Sequence, residues 1–143
     1  SIGQLVMALC LARATELEAE IIGVVESLNN TSENLERLTE IESAIVNETS
    51  GSVDLTAKTL SDGTTYKAFL ESMDISVSSN TANSSSEQLI TDIEAKMDSL
   101  NSFSQQTMID LQSLTSKRDQ SYDMISNIIK SLYTTLTTNS NNL

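Results

Sequence analysis

Proline is absent from the 143 residues, and glycine occurs only four times. Proline breaks helices because it lacks a backbone N–H donor and its ring clashes with the preceding turn. Average usage of about 5% would place several prolines in a chain of this length. The sequence therefore permits very long uninterrupted helices.

Aromatic residues are also scarce, at 3% of the chain, and tryptophan is missing. Aromatic rings supply much of the buried area of compact protein cores. Their scarcity favours thin seams between helices, built from Leu, Ile, Val, Met and Ala, over a dense globular core.

Histidine is absent and Cys10 is the single cysteine. The chain therefore lacks the commonest general base and metal ligand, and one thiol can form neither an internal disulfide nor a zinc site. It has no glycine-rich phosphate loop and no nucleophile elbow. Carboxylates four residues apart, such as Asp119 and Asp123, are expected to be solvated charge. We therefore expect no enzyme, no cofactor, and no catalytic, cofactor-binding or metal-binding residues.

Positive charge is in short supply, with eight basic against twenty acidic residues and a net charge of −12. This balance argues against nucleic acid, whose phosphates need basic residues, and against an anionic membrane surface. The apolar run Ile2–Ala12 is too short to span a bilayer, which needs about 20 residues, and it has no basic segment before it. We expect neither a nucleic-acid partner nor direct membrane insertion; whether residues precede Ser1 is left open.

Two long helices are predicted from the spacing of apolar residues. In the first, at about 2–46, steps of three and four place the apolar residues on one stripe. A polar stretch at 29–32 weakens the stripe, but it has no capping box, and we predict that the helix continues through it. The stripe comprises Leu5, Leu9, Ala12, Leu17, Ile21, Val24, Val25, Leu28, Leu35, Leu38, Ile41 and Ile45.

The second helix, at about 86–137, follows strict steps of four and three, which is the heptad pattern of a helix packed lengthwise on another. Its seam comprises Ile93, Met97, Leu100, Ser104, Thr107, Leu111, Leu114, Arg118, Ser121, Ile125, Ile128 and Leu132. A second apolar line beside it comprises Phe103, Met108, Tyr122, Ile129, Tyr133 and Leu136. A two-helix hairpin cannot cover both lines, so the second line predicts a further partner.

The middle of the chain, 47–85, changes character. Asp62-Gly63 marks a turn, and Thr64–Ser72 is expected to form a short helix with Tyr66, Phe69 and Leu70 on one side. Asp74–Val77 alternates like a short strand. Ser78–Ser86 is composed almost entirely of Ser, Asn, Thr and Ala, which predicts a solvated loop. The tail, Thr137–Leu143, is expected to fray or to insert into a neighbour.

These patterns predict an all-α protein: a long antiparallel helical hairpin, coiled-coil-like, with a small irregular central insertion. We divide it into an N-terminal long helix (1–46), a central surface insertion (47–85) and a C-terminal long helix (86–143), within one structural domain. The insertion is expected to be either a small cap on the hairpin or a mobile surface segment.

Residues 104–125, with the core LQSLTSKRDQ followed by Tyr122, Asp123 and Met124-Ile125, resemble the C-terminal helix of a known family. The family comprises type III secretion filament and needle-tip subunits, of the EspA/SseB group and including the Bordetella tip-complex protein. The amphipathic segment 2–21 and the piece 66–77 are similar to the first helix and the central elements of that family. The present chain is shorter in the central insertion.

The resemblance implies a secreted structural protein that polymerises helically at the needle tip into a hollow tube and conducts effectors toward host cells. It implies an extracellular, bacterial surface location and a role in virulence and protein transport. Its partners would be copies of itself, type III needle and translocon proteins, and a cytoplasmic secretion chaperone that covers the polymerising helix before export.

Two alternatives remain open from the sequence: a closed needle-tip complex, and a coiled-coil adaptor or chaperone with a cytoplasmic partner. For assembly, we predict that Leu111→Asp or Ile125→Asp abolishes polymers while leaving a soluble helical monomer. Arg118 on the seam is expected either to extend its charge to solvent or to set register through a carboxylate. The candidate self-assembly interface comprises Leu5, Leu9, Ile21, Leu28, Leu100, Phe103, Met108, Leu111, Leu114, Arg118, Tyr122, Ile125, Ile129, Leu132 and Tyr133.

Overall fold

The computed structural model describes residues 1–78, 80–81 and 83–141. Its elements follow the chain in the order α1 (Ile2–Val46), β1 (Val53–Asp54), α2 (Tyr66–Ser72), β2 (Asn80–Thr81) and α3 (Asn83–Asn141). The two long helices, α1 and α3, pack against each other, and the predicted all-α helical hairpin is confirmed.

The first long helix has the predicted bounds, and the second runs further at both ends than the sequence pattern indicates. α1 continues without a break through the polar residues 29–32, as predicted, and ends at Val46. α3 begins at Asn83 and extends to Asn141, through most of the segment for which a frayed or inserted tail was predicted. The last two residues of that segment, Asn142 and Leu143, lie outside the described residues.

The chain divides into two compact units, each containing parts of both long helices. Residues 1–28 and 106–143 form the first, which we call the hairpin unit. Residues 29–105 form the second, which we call the central unit.

The central unit contains a true hydrophobic core, so the expectation of thin helix seams alone is wrong for this region. Two of the five aromatic residues, Tyr66 and Phe69, are buried in it. The sequence pattern missed this core because its members between the long helices have no regular spacing. The cluster comprises Leu38, Ile41, Ile45, Val53, Leu55, Leu60, Tyr66, Phe69, Leu70, Ile75, Leu89 and Ile93.

The turn and the short helix predicted in the middle of the chain are confirmed. The Leu60 N–H donates to the Thr64 carbonyl at 2.8 Å, and Gly63 closes this turn with a φ of +87°. Thr65 caps α2, because its hydroxyl accepts from the Ala68 N–H at 3.1 Å. The buried side of α2 carries Tyr66, Phe69 and Leu70, as predicted.

The strand predicted at Asp74–Val77 is wrong. Ile75 is buried and Asp74 is exposed, so burial alternates as expected, but Asp74 lies in a turn with a φ of +62° and the segment has no strand pairing among the described residues. The strand pair forms elsewhere, with Val53 opposite Thr81 and Asp54 opposite Asn80, antiparallel.

The solvated loop predicted at 78–86 holds for Ser78, which is exposed and outside any element, but is wrong for residues 80–81 and 83–86. Residues 80–81 form β2, and α3 has already begun at Asn83. Composition alone cannot reveal a strand that is held by pairing with a distant segment. Ser79 and Ala82 lie outside the described residues.

Gly23 and Gly63 are expected to respond in opposite ways to substitution by alanine, because one lies in a helix and the other in a turn with positive φ. Gly23 lies inside α1, and a Cβ there would meet no atom within 4 Å. Gly23→Ala is expected to raise the free energy of unfolding by about 0.5–1 kcal/mol, because glycine weakens a helix interior relative to alanine. Gly63→Ala is expected to lower it by about 1–2 kcal/mol, because Gly63 has positive φ.

Thermal unfolding of dilute protein, followed by circular dichroism, measures both glycine variants under the same conditions. Equal effects of the same sign would contradict the assignment of these two backbone roles.

Candidate self-assembly surface

The predicted heptad seam of α3 is the face that the hairpin covers. Every predicted seam position from Ile93 to Leu132 is buried or half-buried, including the two polar layers at 104–107 and 118–121. Within the hairpin unit, Thr107 is the best covered of them, with 7% of its surface exposed. The 4-3 spacing thus identified the intrachain face of α3 correctly.

The stripe predicted for α1 is correct from Leu17 onward, except for Val25, but wrong before it. Leu5, Leu9 and Ala12 are exposed. The covered seam before Leu17 comprises Gly3, Met7, Cys10 and Ala14, which continue the 4-3 steps of Leu17, Ile21, Val24 and Leu28 toward the start of the helix. Val6, Glu18 and Ser27 beside this seam are also half-buried. Residues 1–25 are apolar on several sides of the helix, so periodicity alone fits both stripes. Packing against α3 determines which stripe is covered.

Direct contacts across the hairpin unit show that the two helices are antiparallel. A Cβ placed on Gly3 would lie 3.2 Å from the Leu132 side chain, so the glycine allows close approach. The Cys10 thiol donates to the Met124 sulfur at 3.2 Å. Cys10 is half-buried, as a small apolar residue in a seam would be.

The hydrogen bond between Tyr122 and Glu18 links α3 to α1. The Tyr122 hydroxyl donates to Glu18 Oε1 at 2.5 Å. This bond to a carboxylate raises the pKa of Tyr122 above its ordinary value of 10.0, and partial desolvation acts in the same direction. A raised folded pKa stabilises the hairpin unit below pH 10, and this contribution is lost as pH rises through the folded value.

Tyr122→Phe is therefore expected to reduce the loss of stability between about pH 8 and about pH 11, because the variant has no phenol to ionise at this position. Urea unfolding followed by circular dichroism at both pH values provides the measurement. Tyr133→Phe, which makes the same chemical change on an exposed residue, is the matched control. An identical pH dependence in the wild type and Tyr122→Phe would contradict the role of this bond.

Outside the seam, the hairpin unit retains a large amount of exposed apolar surface. The second apolar line predicted on α3 is exposed along its whole length, as expected. α1 adds further large apolar side chains on the side turned away from α3. The exposed large apolar residues of the hairpin unit are Ile2, Leu5, Leu9, Leu11, Ile22, Val25, Met108, Ile109, Tyr122, Met124, Ile129, Tyr133 and Leu136.

The structure separates the fifteen candidate interface residues into two groups. Seven are exposed: Leu5, Leu9, Phe103, Met108, Tyr122, Ile129 and Tyr133. Eight are half-buried along the long helices: Ile21, Leu28, Leu100, Leu111, Leu114, Arg118, Ile125 and Leu132.

Because Leu111 and Ile125 belong to the half-buried group, aspartate at either position would disturb the hairpin as well as any assembly. The sequence reasoning did not include Ile2, Ile22 and Leu136 among the candidates, although all three are exposed. Leu136 could have been predicted as exposed from the sequence, since it continues the second apolar line on α3. The exposure of Ile2 and Ile22 could not, because it depends on which side of α1 packs on α3.

Arg118 forms an ion pair with a carboxylate of its own helix. Its guanidinium contacts the carboxylate of the neighbouring Asp119, with Nη2 3.2 Å from Oδ1. The Arg118 side chain is about one third exposed, and a pair of this kind contributes only about 0–1 kcal/mol. The partner is thus a carboxylate of the same chain, and solvent access is retained.

Charge is distributed unequally between the two units. The central unit carries 13 acidic and four basic residues, whereas the hairpin unit carries seven acidic and four basic residues. Nine of the twelve excess negative charges therefore belong to the central unit. The unit with the exposed apolar surface is also the less charged one, which lowers the electrostatic cost of bringing copies of it together.

Comparisons with known proteins found no matching family model, no matching curated protein and no matching solved structure. Within the described part of the chain, no group of three or more Cys, Asp and Glu residues is arranged to hold a metal ion. No helix among the described residues has an apolar stretch long enough to cross a membrane.

Proposed function

We propose that this chain is a structural subunit that polymerises helically into a hollow extracellular type III secretion filament, which extends the needle and conducts effectors to host cells. The observation that carries the self-assembly part is the apolar surface that both helices of the hairpin unit leave exposed after packing on each other. Contiguous exposed apolar surface of this kind is characteristic of protein interaction sites.

Charge supports the same role for the hairpin unit. With three excess negative charges against nine for the central unit, the hairpin unit is the better one to pack densely in a polymer. The acidic central unit suits exposure to solvent. The specific link to type III secretion comes from the resemblance of residues 104–125 to the C-terminal helix of filament and tip subunits.

Negative-stain electron microscopy of the purified chain at rising protein concentration tests the polymer. We expect long filaments of uniform width. We also expect more filament at higher salt, because a charge of −12 on each subunit makes the copies repel and screening weakens that repulsion. Rings would instead indicate a closed tip complex, and a dimer that does not grow would indicate an adaptor or chaperone.

A pair of variants tests whether the exposed surface of the hairpin unit is responsible. Tyr133→Asp is expected to abolish filaments, because it places a charge where an apolar contact forms. Val46→Asp adds the same charge at an exposed apolar residue of the central unit and is expected to leave filaments intact. Filaments that survive Tyr133→Asp and disappear with Val46→Asp would contradict the assignment.

Export is tested separately in bacteria that carry a type III apparatus. The chain is expected to reach the medium or cell surface only when the ATPase of that apparatus is active. Export that is independent of the ATPase would remove the type III part of the proposal and leave the polymer untouched.

A further inference from the structure

Two exposed apolar surfaces of the hairpin unit differ in position and composition. The α1 face comprises Ile2, Leu5, Ala8, Leu9, Ala12, Ala19, Ile22 and Gly23. The α3 face comprises Ile129, Tyr133 and Leu136, which recur at steps of four and three on α3. Leu5 and Leu9 are 61% and 62% exposed, and the three residues of the α3 face are 52–72% exposed.

The shapes of the two faces are complementary. On the α1 face, alanine and glycine alternate with large aliphatic side chains and leave shallow depressions. Glu16, whose side chain is 68% exposed, lies on the same side of the helix between Ala12 and Ala19 and adds a negative charge there. A Cβ added at Gly23 would meet no neighbouring atom within 4 Å. The α3 face consists of large side chains only, including the projecting ring of Tyr133. Small residues on one helix let large residues of another approach closely, as in knobs-into-holes packing.

The charges beside the faces favour contact between unlike faces. Residues 1–28 contain four Glu and one Arg, whereas residues 106–143 contain three Asp and three Lys or Arg. Two α1 faces would therefore bring like charges together, while an α1 face against an α3 face does not.

The free charges beside the faces also have opposite signs. Lys130, which follows Ile129 of the α3 face, and Glu20 and Glu26 of α1 form no ion pair within 4 Å in the described part of the chain. Contact between unlike faces can thus bring an unpaired lysine toward unpaired glutamates.

We infer that the α1 face of one copy packs on the α3 face of the next copy. This inference rests on the proposed self-assembly and specifies its contact. Each added copy uses one face of each kind and leaves one of each kind free at the ends. A head-to-tail contact of this type continues indefinitely, whereas pairing of like faces consumes a face on both copies.

Site-directed crosslinking tests the pairing of faces. In a Cys10→Ser background, Leu9→Cys and Tyr133→Cys are made in separate chains, one of which carries a tag that changes its mass. The two chains are mixed, assembled and treated with a short bismaleimide. We expect the Leu9–Tyr133 crosslink as the main dimer, with both homodimers at the level given by a Val46→Cys control.

Homodimers as the main product, or no crosslink above the control in assembled polymer, would overturn the inference. Neither result would affect the proposed function, because polymer is present in both. Absence of polymer in the wild type would instead overturn the proposed function itself.

A second measurement needs no cysteine. Leu9→Glu removes the α1 face and Tyr133→Glu removes the α3 face. Each variant alone is expected to lose filaments, and each added in excess to the wild type is expected to shorten wild-type filaments by capping one end. Leu9→Glu keeps the α3 face and Tyr133→Glu keeps the α1 face. If one variant forms homodimers, and mixing it with the other variant gives no heterodimers, then like faces pair and the inference is wrong.

Discussion

Replacing Leu70 with alanine is expected to lower the free energy of unfolding of the central unit by about 2–5 kcal/mol. Leu70 is fully buried in the core that α2, the turn before it and the long helices share. Truncation removes buried apolar atoms and leaves a cavity, and the loss includes both contributions. A domain is stable by only about 5–15 kcal/mol, so this change would remove much of its stability.

Urea unfolding is followed by tyrosine fluorescence in a background that carries Tyr122→Phe and Tyr133→Phe. Tyr66, which is buried in the same core, is then the single tyrosine and reports on the central unit. Val46→Ala is the matched control, because Val46 is an aliphatic residue of the same unit with 60% of its surface exposed. The control is expected to change stability by no more than about 0.5 kcal/mol. If Leu70→Ala were as mild as the control, the central unit would not have the packed core described above.

Leu17→Asp is expected to cost the hairpin unit about 3–5 kcal/mol, because it leaves an uncompensated charge in the seam. Leu17 is 1% exposed, and it is one of few fully covered apolar residues among the described residues of this unit. A unit with so little buried surface has little stability to lose. We therefore expect residues 1–28 and 106–141 to become largely unprotected.

Hydrogen exchange read by mass spectrometry distinguishes the two units. In Leu17→Asp, protection should fall in the hairpin unit and remain in the central core. Leu9→Asp makes the same change on the same helix at an exposed position, and its protection pattern should match the wild type when the protein is monomeric. Equal loss of protection in both variants would contradict the phase assigned to α1.

The two predictions have different consequences for assembly. Leu17→Asp would impair assembly because the hairpin unit, which carries the exposed apolar surface, unfolds. A charge on an exposed face, as in Tyr133→Asp, would impair assembly while the hairpin remains folded. Comparing these variants therefore separates folding of the subunit from contact between subunits, which Leu111→Asp and Ile125→Asp do not.

Composition and residue spacing were enough to predict the helical hairpin. Without proline, and with apolar residues at steps of three and four, long helices were the expected structure. The seam of α3 keeps strict steps of four and three from Ile93 to Leu132, and this regularity identified the buried face although a second apolar line lies beside it. The short helix was also predicted, since Tyr66, Phe69 and Leu70 share one side, whereas its cap at Thr65 was identified from the structure.

The phase of α1 and the core of the central unit depend on tertiary packing and could not be predicted from spacing. Residues 1–25 are apolar on several sides, so two stripes fitted the pattern equally well, and only packing on α3 distinguished the covered stripe from the exposed one. The central core gathers Val53, Leu55, Leu60 and Ile75 from irregular segments. Such burial depends on contacts distant in sequence, which periodicity along a single helix or strand cannot encode.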